Sequence, residues 1–167
     1  MGRLLCFGEM LVRLTAPAGE MLLQTPQLSA HIGGAEANVA ICVSRLGGDA
    51  GMVTMLPDNP LGHAARDELR RHGVDVSNVK FGAGRMGLYF LTPGAVARAP
   101  EIIYDRAGSA FAGVGANDID WRKALEDADW LHVSGITPAV SKSAGEAALA
   151  AMTAAASANV NICFDGN

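Results

Sequence analysis

The sequence predicts an α/β protein, a parallel sheet flanked by helices, with a smaller β part built from two insertions. Three observations carry this. Short apolar runs at residues 3–8, 50–56, 130–134 and 160–164 alternate with helical patterns after Gly34, from Pro60 and from Ser141. The alternation breaks at 10–32 and 77–113, where strand-type runs and turn residues occur without helical period. Finally, a chain of 167 residues, 50% hydrophobic and 18% charged, is the size of one domain and buries roughly 70% of its unfolded surface.

RLLCFG, Arg3 to Gly8, is an apolar run closed by glycine, as in a strand buried on both faces. From Leu11 to Ile32, Pro17, Gly19 and Pro26 interrupt any period, which predicts short exposed strands or loop. Gly33 and Gly34 precede a helix whose stripe is Val39, Val43 and Leu46, with Gly47 and Gly48 as its stop. Ala50 to Leu56 reads as strand. Asn59 then caps a helix with Pro60 at its first position, Leu61, Ala65 and Leu69 on one face, and Gly73 at its end. Arg85 to Thr92 and Glu101 to Arg106 are strand-type runs joined by TPGAVARAP. Asn117 is expected to cap a helix through Trp121, Ala124 and Leu125, before strand 130–134, helix 141–158 and strand 160–164. The organisation is a body of residues 1–9, 33–76 and 114–167 with insertions 10–32 and 77–113.

Ligands of open parallel sheets bind beyond the carboxyl ends of the strands. Glu9 follows the first strand, Asp58 and Asn59 the second, Ser134 and Gly135 the third, Asp165 and Asn167 the fourth. Each alone is more often a cap or turn residue; together they mark one edge. The glycine pair allows close backbone approach to a ligand, and a helix mouth with Asn38 in its first turn suits polar or anionic groups. A Gly-Gly turn opening an ordinary surface helix is the simpler arrangement. In the second insertion, Tyr104 and Arg106 lie two apart on one strand face, with Tyr89 in the neighbouring run. An arginine between tyrosines suits a carboxylate, although on spacing alone a solvated arginine paired with a nearby acid is the commoner arrangement.

Net charge is −4, so no broad basic field attracts nucleic acid or anionic membrane. Leu4 to Phe7 is too short for a signal h-region, and the alanine-rich run 144–158 too short and charged to span a bilayer. Cys6, Cys42 and Cys163 are odd in number and each within an apolar run, predicting buried reduced thiols and a cytoplasmic protein. His31, His63, His72 and His132 show no metal-ligand spacing, so no metal site is expected.

GGAEANVA, followed by Arg45-Leu46-Gly47-Gly48, resembles the N-terminal signature of the ribokinase-like (PfkB) sugar kinases. The resemblance implies a ribokinase-like parallel sheet with the insertions as a β lid, and a sugar-binding role for Gly33, Gly34 and Asn38. GLYFLT, IIYDRAGSA, HVSGI and FDGN are similar to the 2-keto-3-deoxygluconate kinases within that family, which implies acid-sugar contacts for Tyr89, Tyr104 and Arg106. The family more often has proline at the position of Gly166. Lids of the family often pair between subunits, which implies a possible homodimer.

The resemblance further implies a kinase using ATP and Mg2+ on the 6-hydroxyl of 2-keto-3-deoxygluconate. Its catalytic base and phosphate-binding glycines, in a GAGD element, have no counterpart in these residues, and no GxxxxGK[ST] loop replaces them. The 167 residues therefore read as a substrate-binding N-terminal half, with no catalytic residue of their own and expected to be inactive alone. The alternatives are a related kinase of fructose, ribose or a nucleoside, and a non-catalytic sugar-binding module. A dinucleotide-binding oxidoreductase fits poorly, because its GxGxxG belongs directly after the first strand.

Overall fold

The computed structural model describes residues 2–166. In chain order the elements are β1 (Leu4–Phe7), β2 (Leu11–Thr15), β3 (Ser29–Gly33), α1 (Ala35–Arg45), β4 (Ala50–Pro57), α2 (Pro60–Arg71), β5 (Val79–Gly82), β6 (Gly87–Thr92), β7 (Glu101–Asp105), α3 (Trp121–Ala124), β8 (Trp130–Ser134), α4 (Ile136–Val140), α5 (Lys142–Ser157) and β9 (Asn161–Asp165). They form a five-stranded sheet of order β5-β4-β1-β8-β9 and a four-stranded sheet of order β3-β2-β6-β7. Every pairing in the first sheet is parallel.

Alternation along the buried strands feeds two cores. Leu5, Phe7, Val53, Leu131 and Val133 join Trp121, Leu125 and the alanine face of α5 on one side. Cys6, Met52 and Leu56 join Ala37, Ala40, Ala65 and Leu69 on the other. Helices thus cover both faces, which is why β1, β4 and β8 read as continuous apolar runs. The chain leaves β1 toward β4 and β5 on one side and returns to β8 and β9 on the other. The strand order therefore reverses at β1, and the crevice of such a sheet opens beyond that strand's carboxyl end, at Glu9.

Several local expectations hold. Asn59 accepts hydrogen bonds from Leu61 N and Gly62 N with Pro60 at the first helical position, and Ser141 accepts from Ala144 N to start α5. Others are corrected. Residues 11–15 and 29–33 take the strand alternative as an antiparallel pair, but Leu11 and Val12, expected to be exposed, are buried because β6 pairs β2 from its other side and supplies a sheet. Residues 79–82, grouped by sequence with the second insertion, pair with β4 as the edge of the parallel sheet. Leu46 is 78% exposed because α1 ends at Arg45, and its buried face is Glu36, Ala37 and Ala40. Leu61 is half exposed, and Gly62 takes its place on the buried face of α2. Asp120, not Asn117, caps α3, accepting from Lys123 N. Of the three thiols only Cys6 is buried; Cys42 lies on the solvent side of α1 and Cys163 on the edge strand β9. Burial pushes the Cys6 thiol up to about 12, with the charges of Glu36 and Cys163 adding to it. No helix among the described residues is long and apolar enough to cross a membrane.

Candidate active site

The lid positions its polar side chains by register. Tyr89 on β6 stands opposite Tyr104 on β7, with ring centroids 5.7 Å apart. Tyr104 and Ile102 share a face, as the period of two requires. Arg106, just past β7, folds back so that its guanidinium carbon lies 4.5 Å from the Tyr104 ring centroid, a cation–π contact. The neighbouring Asp105 pairs instead with Arg85, whose guanidinium also donates to Ala107 O at 2.8 Å and so fastens the loop after β7.

The acid that meets Arg106 is distant in sequence. Glu9, at the end of β1, is 3% exposed and places Oε2 3.5 Å from Arg106 Nε. Its other oxygen, Oε1, accepts from Ser109 Oγ at 2.7 Å. Burial raises the Glu9 carboxyl above its ordinary range, while the Ser109 hydrogen bond and the Arg106 charge only partly oppose this. Neither Glu9 Oε2 nor Arg106 Nε makes a well-formed hydrogen bond. The terminal nitrogens of the Arg106 fork have no protein partner among the described residues, so the edge suited to a bidentate carboxylate is open.

The helix mouth faces this lid. Gly34 occupies the cap position of α1 with no side-chain cap, leaving the first N–H groups for another partner. A methyl group at Gly34 would sit 2.5 Å from the backbone oxygen of Glu9, so only glycine lets α1 start this close to β1. A cavity of about 160 Å³ lies between the two parts, lined by Gly34, Asn38, Tyr89, Tyr104, Arg106 and Glu9 among others. Gly33 borders it, the Tyr89 hydroxyl lying 3.9 Å from where its side chain would begin. Six side-chain and backbone positions singled out from separate stretches thus converge on one space.

The remaining strand-end residues divide. Ser134 is buried and belongs to a second carboxylate network just beneath the cavity: Glu36 Oε1 accepts from Ser134 N at 3.0 Å, Ser134 Oγ at 2.6 Å and Thr137 Oγ1 at 2.9 Å. Glu36 is 1% exposed, and a methyl group at Gly8 would stand 2.1 Å from its Oε2. This network ties α1 to β8 and α4 directly under the cleft. Sequence reasoning passed over Glu36 and Ser109; a glutamate inside the first, buried turn of α1 was the available signal. Asp58 pairs with His63 at 3.1 Å and Asn59 is a helix cap, so neither lines the cavity. Asp165 ends β9 opposite Ser134 and is not among the lining residues. Asn167 lies outside the described residues.

Among the described residues no three His, Cys, Asp or Glu side chains converge as a metal site. The two carboxylates nearest the cleft, Glu9 and Glu36, are both engaged by protein donors. The cavity is lined by phenols, an amide, a guanidinium and these two engaged carboxylates, and these residues do not fit a magnesium–nucleotide site.

The family model described as pfkB family carbohydrate kinase matches residues 1–167. The chain is 37% identical over 164 residues to a 2-dehydro-3-deoxygalactonokinase of Haloferax volcanii, covering 98% of this chain and 51% of that protein. It superposes on the crystal structure of a 2-dehydro-3-deoxygluconokinase from Thermotoga maritima with TM-score 0.96 and 40% identity, over 100% of this chain and 51% of that one. A sugar kinase from Pyrococcus horikoshii in complex with ATP aligns with TM-score 0.87 and 25% identity, over 98% of this chain and 53% of that one. The chain thus spans about half the length of the proteins it matches. Its mostly parallel sheet and its helices on both faces agree with these relatives, and the chain belongs to the pfkB family of carbohydrate kinases.

Proposed function

We propose that these residues are the substrate-binding part of an ATP-dependent kinase of 2-keto-3-deoxygluconate, acting on its 6-hydroxyl. One observation carries the reading: the Arg106 guanidinium, stacked on Tyr104 with its fork open, faces Gly34 and Asn38 across a cavity sized for a small sugar. In this reading the carboxylate lies on Arg106, the phenols of Tyr89 and Tyr104 bond keto and hydroxyl oxygens, and the α1 mouth with Asn38 orients the chain of hydroxyls. The relatives named for 2-dehydro-3-deoxy sugar acids support an acidic substrate.

ATP with Mg2+ supplies the phosphoryl group, and residues beyond these 167 hold it. A polypeptide of these residues alone binds sugar without phosphorylating it, because it carries no GAGD element to act as base and phosphate cradle. The protein works in the cytoplasm, and the exposed edge of β7, with Ile102 and Ile103 about half exposed, pairs two lids in a homodimer.

A second reading, a kinase of a neutral sugar such as fructose or ribose, or of a nucleoside, draws on Glu9. Its carboxylate already offsets part of the Arg106 charge. One experiment separates the two. In the full-length protein, Arg106→Ala should raise KM for 2-keto-3-deoxygluconate by roughly tenfold or more relative to fructose. Equal losses on both sugars would remove the acid-sugar reading.

A further inference from the structure

The lid face that carries Tyr89 and Tyr104 carries two more basic side chains. Arg13 on β2 pairs with His31 on β3 and with Tyr89 on β6, and Tyr89 pairs with Tyr104 on β7. His31, Arg13, Tyr89 and Tyr104 therefore form one row across all four strands. Directly opposite residues point to the same face. That face is the one turned to the cleft, because Leu11, two residues before Arg13, lines the cavity along with Tyr89 and Tyr104.

Arg13 sits in this row without a counter-ion. It is partly buried, its Nε is shielded from solvent and makes no hydrogen bond, and no carboxylate forms an ion pair with it among the described residues. The Thr15 hydroxyl, two residues on and on the same face, is likewise buried without a partner. Orphaned donors of this kind cost stability unless something fills them, and an arginine placed beside a histidine adds repulsion when the histidine is charged. Arg106, by contrast, already meets Glu9 at 3.5 Å. In this row across the four strands, Arg13 is thus a cation without an acidic partner among the described residues, one strand away from Tyr89.

We infer that Arg13 is a second anion-recognising, specificity-determining residue of the same site. Tyr89 stands on the strand between it and Arg106, and the two attachment points are roughly 12 Å apart, from two strand spacings and two residues of rise. Two long guanidinium side chains over that span take a small sugar acid between them, sharing its carboxylate and adjacent keto or hydroxyl oxygens above the Tyr89 ring. The substrate class this selects is a polyhydroxylated acid rather than a neutral sugar of the same length. The inference rests on the acid-sugar reading and adds to it a residue from the first insertion.

The test uses the full-length protein, with 2-keto-3-deoxygluconate and its uncharged methyl ester as probes. Arg13→Gln should weaken binding of the acid roughly tenfold or more, measured by calorimetry, and change the ester less than twofold. Arg13→Lys keeps the charge, loses the fork, and should show a smaller loss confined to the acid. Should the glutamine variant fail to fold, judged by circular dichroism, the lysine variant decides alone: a loss for the acid only sustains the assignment. Unchanged affinity for the acid, or equal losses on acid and ester, overturns it. If Arg106→Ala is acid-selective and the Arg13 variants are not, only this inference falls; if neither is selective, the acid-sugar reading falls with it.

Discussion

Glu9 and Arg106, 97 positions apart in the chain, meet at 3.5 Å beneath the lid, and their separation is bridged by no local contact. The pair couples the loop just past the central strand to the residue just past the lid's last strand. It also places a buried carboxylate directly behind the cation that faces the cleft.

Burial raises the Glu9 carboxyl, which sets the sign of its pH effect. A group with a raised folded value stabilises fully below its unfolded value, about 4.3, and loses that contribution as pH rises through the folded value. Glu9→Gln, neutral throughout, should therefore gain on the wild type as pH rises from 4 to 7, by about 2–4 °C in Tm for each 1 kcal/mol. Thermal melts at several pH values check this; a constant difference across the range would show that Glu9 does not carry the proton.

Glu36 holds three donors on one buried oxygen. Glu36→Ala strands the Ser134 amide and the Ser134 hydroxyl at once and leaves the Thr137 hydroxyl only Phe7 O at 3.4 Å, at about 1–3 kcal/mol for each group left unpaired. Stability should fall by about 3 kcal/mol or more, and Glu36→Gln, which keeps an acceptor, by less. Urea unfolding compares the two. Equal losses would mean that packing volume, and not the hydrogen bonds, holds α1 to β8.

Gly34→Ala tests the helix mouth. Its methyl group meets the Glu9 backbone oxygen at 2.5 Å and the Ala37 side chain at 3.3 Å, so α1 must shift outward. Overpacking of this sort costs about 1–3 kcal/mol. Because the shift moves Asn38 away from the lid, KM of the full-length protein for the acid sugar of the proposed function should rise roughly tenfold, one such step in energy being about 1.4 kcal/mol. A stability loss with unchanged KM would place the sugar elsewhere.

The local grammar of this chain was readable because it follows from short-range physics. Apolar runs such as Leu4–Phe7 and Trp130–Ser134 can only be strands covered on both faces, Asn59-Pro60 can only start a helix well, and a two-residue period puts Tyr104 and Arg106 on one face. Gly34 and Asn38 of the glycine signature and Tyr104 and Arg106 of IIYDRAGSA, singled out by sequence, line one cavity. Five things needed the tertiary structure. The β2–β3 pair exists because β6 completes a sheet from 76 residues away, and β5 joins β4 although its sequence neighbours lie in the lid. Glu9 meets Arg106, and Glu36 meets Ser134, through contacts spanning nearly a hundred residues. Arg13 acquires meaning only once register sets it beside Tyr89. Periodicity reports which face of an element is buried, but not which distant strand lies against it; that choice is made by sheet pairing and core packing, which no short window of residues contains.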